Sequence, residues 1–109
     1  MAEPRELEKV AGEVSEVLAA MANPNRLMIL CHLSEAETTV GELAGRLGMS
    51  QTALSQQLAR LRALRLVGTR RDAQQIYYRL ASAEVERILA TLYELYCGPR
   101  VNGGTRAAS

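Results

Sequence analysis

The stretch that most constrains this chain runs from Thr39 to Leu64, where two helix-length apolar patterns are separated by only Gly48, Met49 and Ser50. Thr39-Val40-Gly41-Glu42 has capping-box spacing, with the Thr39 hydroxyl able to bond the Glu42 amide and the Glu42 side chain able to reach back. A short helix follows to Leu47. Gly48 can take the left-handed conformation that ends it, and Ser50 can cap a second helix from Gln51 to about Leu64. In that second helix Leu54, Leu58 and Leu61 form a buried stripe, while Thr52, Ser55, Gln56, Ala59 and Arg62 project the other way. The pattern predicts a helix-turn-helix over residues 40–64 with a polar outer face.

The flanking segments decide what this motif is built into. Leu7, Val10, Ala11, Val14, Val17, Leu18 and Met21 follow the three-and-four spacing of an amphipathic helix over residues 6–21. Asn23-Pro24 reads as an N-cap and a first helical proline, opening a second helix through Leu33 that is apolar on most sides and therefore central. Leu66–Arg71 and Gln75–Leu80 are β-prone runs around Asp72-Ala73-Gln74, a hairpin at 66–80 with Ile76, Tyr78 and Leu80 inward and Gln75, Tyr77 and Arg79 outward. Ser82 caps a last helix over 83–97, striped by Val85, Ile88, Leu89, Leu92 and Leu95, and Cys97-Gly98-Pro99 stops it. With 109 residues there is room for one domain, residues 1–99, and the small polar stretch 100–109 is expected to be disordered. The fold class is mainly α with a β-hairpin wing, a winged helix-turn-helix.

Charge is divided along the chain. Residues 1–49 carry four basic groups against eight acidic ones, whereas residues 50–80 carry Arg60, Arg62, Arg65, Arg70, Arg71 and Arg79 against Asp72 alone. Twelve of the thirteen basic residues are arginine, whose planar donor fork suits phosphates, although a GC-rich genome gives the same bias. Hydrophobic residues at 48% and charged residues at 23% exclude a disordered chain. No apolar run approaches the roughly 20 residues of a membrane span, and the first residues do not resemble a signal peptide, so no membrane partner and a cytoplasmic location are expected.

A helix-turn-helix presents the first turns of its second helix to base edges in the major groove. Gln51, Thr52, Ser55 and Gln56 occupy those turns, and Arg60 and Arg62 are placed for phosphates. Hydroxyls and amides are also common on plain solvated helices. The hairpin argues against that plainer reading, because Arg70, Arg71 and Arg79 put positive charge on a protrusion beside the helix, where phosphate contacts supply affinity. Ser50 and Gln57 on the helix and Gln74 in the hairpin turn complete the candidate DNA-facing set.

Four blocks carry a resemblance: Asn23-Pro24-Asn25-Arg26-Leu27-Met28-Ile29-Leu30, Val40-Gly41-Glu42-Leu43-Ala44, Ser50-Gln51-Thr52-Ala53-Leu54-Ser55-Gln56-Gln57-Leu58 and Ile76-Tyr77-Tyr78-Arg79-Leu80. In this order they resemble the ArsR/SmtB winged-helix repressors over roughly residues 6–97. The resemblance implies a homodimer built by the first and last helices, bound to an inverted-repeat DNA operator and released by an inducer.

Metal-ligand positions of that family are empty here. Thr39 and Gly41 stand where the arsenic- and cadmium-type sensors carry paired cysteines, and the last helix has no histidine. His32, the single histidine, reads as a packed or surface residue, and no metal or other cofactor is expected. The thiols Cys31 and Cys97 remain. Free cysteine is commonly a small buried hydrophobe, which suits Cys31, whereas Cys97 lies off the apolar stripe and should be partly accessible. Their placement in Ile29-Leu30-Cys31 and Leu92-Tyr93-Glu94-Leu95-Tyr96-Cys97 resembles the persulfide-sensing, SqrR/BigR-type branch, with Gln57 where relatives often have histidine. That likeness implies that persulfide or polysulfide links Cys31 and Cys97 through a disulfide or polysulfide bridge and frees the DNA, derepressing sulfide-detoxification genes. A peroxide or general thiol-redox repressor using the same pair, and a winged-helix interaction module that binds no DNA, stay open. With no phosphate loop, nucleophile elbow or metal cluster, an enzyme is not expected.

Overall fold

Four helices begin where a side chain takes up amide protons that the first turn leaves free. The Asn23 side chain accepts from Asn25 N and Arg26 N, Thr39 from Glu42 N at 3.2 Å, Ser50 from Ala53 N at 3.0 Å and Ser82 from Val85 N at 3.1 Å. The computed structural model, which describes residues 3–98, accordingly gives α2 (Pro24–Glu35), α3 (Val40–Leu47), α4 (Gln51–Ala63) and α5 (Ala83–Tyr96). They follow α1 (Pro4–Met21), which starts at a proline two residues earlier than the apolar spacing predicts. The stretch 100–109, expected to be disordered, lies outside the described residues.

The capping box is half formed. Thr39 caps as predicted, but the Glu42 carboxylate turns to the Thr38 hydroxyl at 2.9 Å and to Arg46 at 3.7 Å. Thr38 is 3% exposed, so its buried hydroxyl requires a partner, and that need outweighs the reach back to residue 39.

Helix ends set the turn geometry. Gly48, at φ 66°, closes α3, and Met49 N then donates to Ala44 O at 3.0 Å. The end of α4 has the same form without a glycine: Arg65 sits at φ 65°, its amide donates to Arg62 O at 2.8 Å, and Leu66 N donates to Leu61 O at 3.0 Å. This pair of bonds is a Schellman motif, and the apolar Leu66 and Leu61 at its two ends are both buried.

The hairpin consists of β2 (Val67–Asp72) and β3 (Gln75–Leu80), paired from Val67↔Leu80 to Asp72↔Gln75 across the two-residue loop Ala73-Gln74. A third strand, β1 (Thr38–Thr39), pairs with β3 at Thr38↔Tyr78 and Thr39↔Tyr77, so the order is β1-β3-β2. Two residues show no periodicity, and this strand was not legible in the sequence. One side-chain expectation is corrected here: Ile76 is exposed, because it stands beside the hairpin tip beyond the body of the domain. Tyr77 and Tyr78 are both half-buried.

Ile29, Leu30, Leu43, Leu54, Leu58, Leu61 and Val85 are fully buried and form the centre of the core. They come from α2, α3, α4 and α5, so four helices meet on one apolar cluster, with Leu66 and Val67 joining the wing to it. Burial of each such side chain contributes about 1.5–3 kcal/mol.

Replacing Arg65 by glycine removes the left-handed penalty on a residue with a Cβ and keeps the two closing bonds. Urea titration is expected to show Arg65→Gly more stable by roughly 0.5–1 kcal/mol, and a loss of stability would mean that the Arg65 side chain makes a compensating contact.

Candidate functional site

The leucine stripe of α4 dictates which residues it shows to solvent. Leu54, Leu58 and Leu61 are fully buried, and Gln51, Thr52, Ser55, Gln56, Ala59, Arg60 and Arg62 are exposed, as is Ser50 at the N-cap. Gln51, Thr52, Ser55, Gln56 and Ala59 line one shallow concavity, and a second runs from Ser55 and Ala59 through Arg62 to Tyr78 of the wing. The exposed polar face of α4 and the hairpin are therefore one continuous surface. Gln51 also leans on α3, where a Cβ at Gly41 would stand 3.4 Å from its Nε2.

Gln57 is placed differently from its neighbours. It is half-buried, and its Oε1 accepts from Arg26 Nη1 at 3.4 Å. Arg26 also donates from Nε to Ala20 O at 2.7 Å and from Nη2 to Ala19 O at 3.4 Å, two carbonyls of the last turn of α1. One guanidinium on α2 thus joins α1 to α4. The apolar periodicity carries no trace of this contact, since it depends on three elements meeting.

On the wing, Arg71, Gln74 and Arg79 are exposed, and neither Arg71 nor Arg79 has a carboxylate partner among the described residues. Arg70 is engaged: its Nε donates to Glu37 Oε1 at 2.8 Å, and its guanidinium stands 4.7 Å above the Tyr77 ring. Glu37 lies outside every motif read in the sequence. A charge balance by segment could have hinted at it, but only the β1–β3 pairing brings residue 37 to the wing.

One thiol lies in α2, a turn before its end, and the other at the end of α5. Cys31 is half-buried, packed against the core cluster, and Cys97 is exposed at the C-cap of α5, its amide donating to Tyr93 O at 2.7 Å. Burial pushes the Cys31 thiol up, and the Glu35 carboxylate and the neighbouring Cys97 add to the rise. Both are free thiols. A Cβ at position 98 would collide with the Glu94 carbonyl, so glycine lets the chain leave α5 directly after Cys97. His32, beside Cys31, is half-buried with a buried, unpartnered Nδ1. Among the described residues no group of three or more His, Cys, Asp or Glu side chains is arranged to hold a metal ion, and no helix is long and apolar enough to cross a membrane.

Residues 23–69, spanning α2 to the start of the wing, match the model of the bacterial regulatory protein arsR family. Curated relatives extend the likeness over most of the chain. The biofilm growth-associated repressor of Agrobacterium fabrum is 46% identical over 88% of this chain and 82% of its own length. The transcriptional activator HlyU of Vibrio cholerae is 50% identical over 85% of this chain and 86% of its own. The chain belongs to the arsR family. Its solved neighbours include the repressor BigR of Xylella fastidiosa, with a TM-score of 0.82 and 42% identity over 88% of this chain and 98% of that one. Reduced HlyU of V. cholerae superposes with a TM-score of 0.79 and 49% identity over 85% of this chain and 98% of the other. This arsR-family chain is a winged-helix DNA-binding regulator and not an enzyme.

Exposure and thiol acidity give this family member an ordered reactivity. At neutral pH less of Cys31 is thiolate than of an ordinary cysteine, and its sulfur is also less accessible. Iodoacetamide near pH 7.5 is expected to label Cys97 first, with Cys31 catching up as pH rises. Glu35→Gln should speed Cys31 labelling by about twofold, by removing one of the charges that oppose its ionisation. Peptide mass spectrometry reads both rates, and equal labelling of the two thiols at neutral pH would contradict this order.

Proposed function

We propose that this chain is a homodimeric transcriptional repressor that binds an inverted-repeat operator and releases it when reactive sulfur species join Cys31 to Cys97. The sulfur-sensing half is supported by two free thiols, Cys31 half-buried on α2 against the core and Cys97 exposed at the end of α5, with the Cys97 charge among the causes that raise the Cys31 thiol. A low-molecular-weight persulfide would pass its outer sulfur to one thiol, leaving a protein persulfide and a free thiol. Attack by the second cysteine on the protein-bound sulfur then closes a disulfide and expels hydrogen sulfide, and further sulfane sulfur gives a longer bridge. One solved structure of the relative HlyU from V. cholerae is of its reduced form.

Dimerisation is supported by where apolar surface is left uncovered. Of the eight large apolar residues exposed among the described residues, Leu7, Val10 and Leu18 lie on α1 and Tyr93, Leu95 and Tyr96 on α5. Leu95 and Tyr96 are 68% and 69% exposed in the single chain, a burden that pairing of α1 and α5 between two copies removes. The same pairing would hold two α4 helices at a fixed separation, as half-sites about 34 Å apart require. A covalent bridge between α2 and α5 then acts on the element that sets that spacing. A regulator of this kind works in the cytoplasm.

On the DNA, Gln51, Thr52, Ser55 and Gln56 are the proposed base readers, and Ser50, Arg60, Arg62, Arg71, Gln74 and Arg79 the proposed backbone contacts. Gln57, through Arg26, holds α4 in place rather than reaching outward. Arg71→Gln or Arg79→Gln is expected to weaken binding to all sequences and to flatten the log–log salt slope by about two units, one for each half-site of the dimer. Gln56→Ala is instead expected to cost roughly 1–3 kcal/mol on the operator alone and to leave the slope in place. Titration of labelled operator and scrambled DNA at several salt concentrations separates the two behaviours.

The deciding test treats the reduced protein with glutathione persulfide and, in parallel, with hydrogen peroxide, following intact mass and operator binding. Loss of both thiols and release of DNA with persulfide alone is the expected result. Equal release by both oxidants would make the protein a general thiol-redox repressor. No reaction with either would remove the cysteines from the mechanism, and binding without salt or sequence dependence would overturn the DNA reading itself.

A further inference from the structure

Three arginines stand on the wing, and only one of them is neutralised. Arg70, on β2, reaches across the middle strand: its cross-strand partner is Tyr77, whose ring it covers at 4.7 Å, and beyond that ring its Nε meets Glu37 Oε1 at 2.8 Å. Asp72 adds a second carboxylate, 3.9 Å from Nη1. The guanidinium therefore meets a carboxylate at Nε and a more distant one at Nη1, while Arg71 and Arg79 have no such partner among the described residues.

Glu37 is not needed to position the hairpin. Thr38 and Thr39, directly after it, pair with Tyr78 and Tyr77, so backbone hydrogen bonds already fix this corner of the sheet. The side chains of Arg70 and Glu37 are 46% and 37% exposed, and an ion pair so open to water contributes little to folding. Its effect falls instead on whatever approaches the wing. A phosphate that came within a Debye length of this carboxylate, about 10 Å at 0.1 M salt, would be repelled by it.

We propose that Glu37 is a brake on DNA binding: it holds the Arg70 guanidinium across Tyr77, away from the nucleic-acid backbone, and so lowers the wing's share of operator affinity. The proposal rests on the reading that the wing lies against DNA. It assigns Arg70 a phosphate contact that is latent in the free protein, and it makes residue 37 the point at which affinity is set without touching the bases. A weakened wing suits a regulator that must leave its operator, because a smaller affinity is reversed by a smaller conformational change.

The test uses the full chain, a labelled operator fragment and salt titrations from about 0.05 to 0.3 M. Glu37→Gln keeps the shape and removes the charge. It is expected to bind about fivefold more tightly at 0.1 M salt, with a log–log salt slope steeper by about two, one released arginine in each protomer of the dimer, and to melt within about 2 °C of the parent. The double variant Glu37→Gln with Arg70→Gln is expected to lose the gain in affinity and the added slope. Unchanged or weaker binding by Glu37→Gln would overturn the brake and make the pair a strut of the wing, as would a large fall in melting temperature. A gain that survives in the double variant would overturn the role of Arg70 and leave Glu37 acting by its own charge. If the parent chain itself binds no DNA, the functional reading fails first and takes this one with it.

Discussion

The structure depends on three leucines one helical face apart. Leu54, Leu58 and Leu61 are fully buried, and their stripe sets the rotation of α4 about its own axis. Once that rotation is set, Thr52, Ser55 and Gln56 have nowhere to point except outward. A turn of the helix by one residue, about 100°, would bury amides and hydroxyls without partners and expose leucine, which costs several kcal/mol. The chemistry of the reading face therefore follows from the packing of the opposite face. Arg26 reinforces it from outside the core, by tying Gln57 of α4 to the last carbonyls of α1.

The wing is governed by a different balance. Leu66 and Val67 anchor its base in the core, whereas the tip, with Ile76, Gln74 and Arg71, stands free of the body. What happens along its length is electrostatic. Two unpaired arginines and one paired with Glu37 give a surface whose positive field is smaller than its arginine count suggests. The two-residue strand β1 is what brings the preceding Glu37 to the hairpin, and the proposed brake on polyanion affinity depends on it.

At the other end of the molecule, α1 and α5 leave apolar side chains in water and α5 ends at an exposed thiol. The two facts belong together. The surface proposed to hold two copies at the spacing of a DNA half-site adjoins the thiols that a sulfur donor would reach. Burial against the core raises the Cys31 thiol and limits access to it, and core contact is also what would let a bridge at that position move α2.

Much of this could be read along the chain. The caps at Asn23, Thr39, Ser50 and Ser82, the left-handed Gly48, the leucine stripe, the hairpin and the two cysteines are local signals, set by bonds that span a few residues, and the helices and the reading face follow from them. The contacts that pair distant residues were not legible: β1 against β3, Glu37 with Arg70, and Arg26 with Gln57. They were decided by the tertiary structure, because each joins elements tens of residues apart; the exposure of Ile76 likewise follows from where the hairpin tip stands relative to the body. Local propensity fixes the phase of a helix or strand, but a charge acquires its partner only when packing has chosen which elements are neighbours.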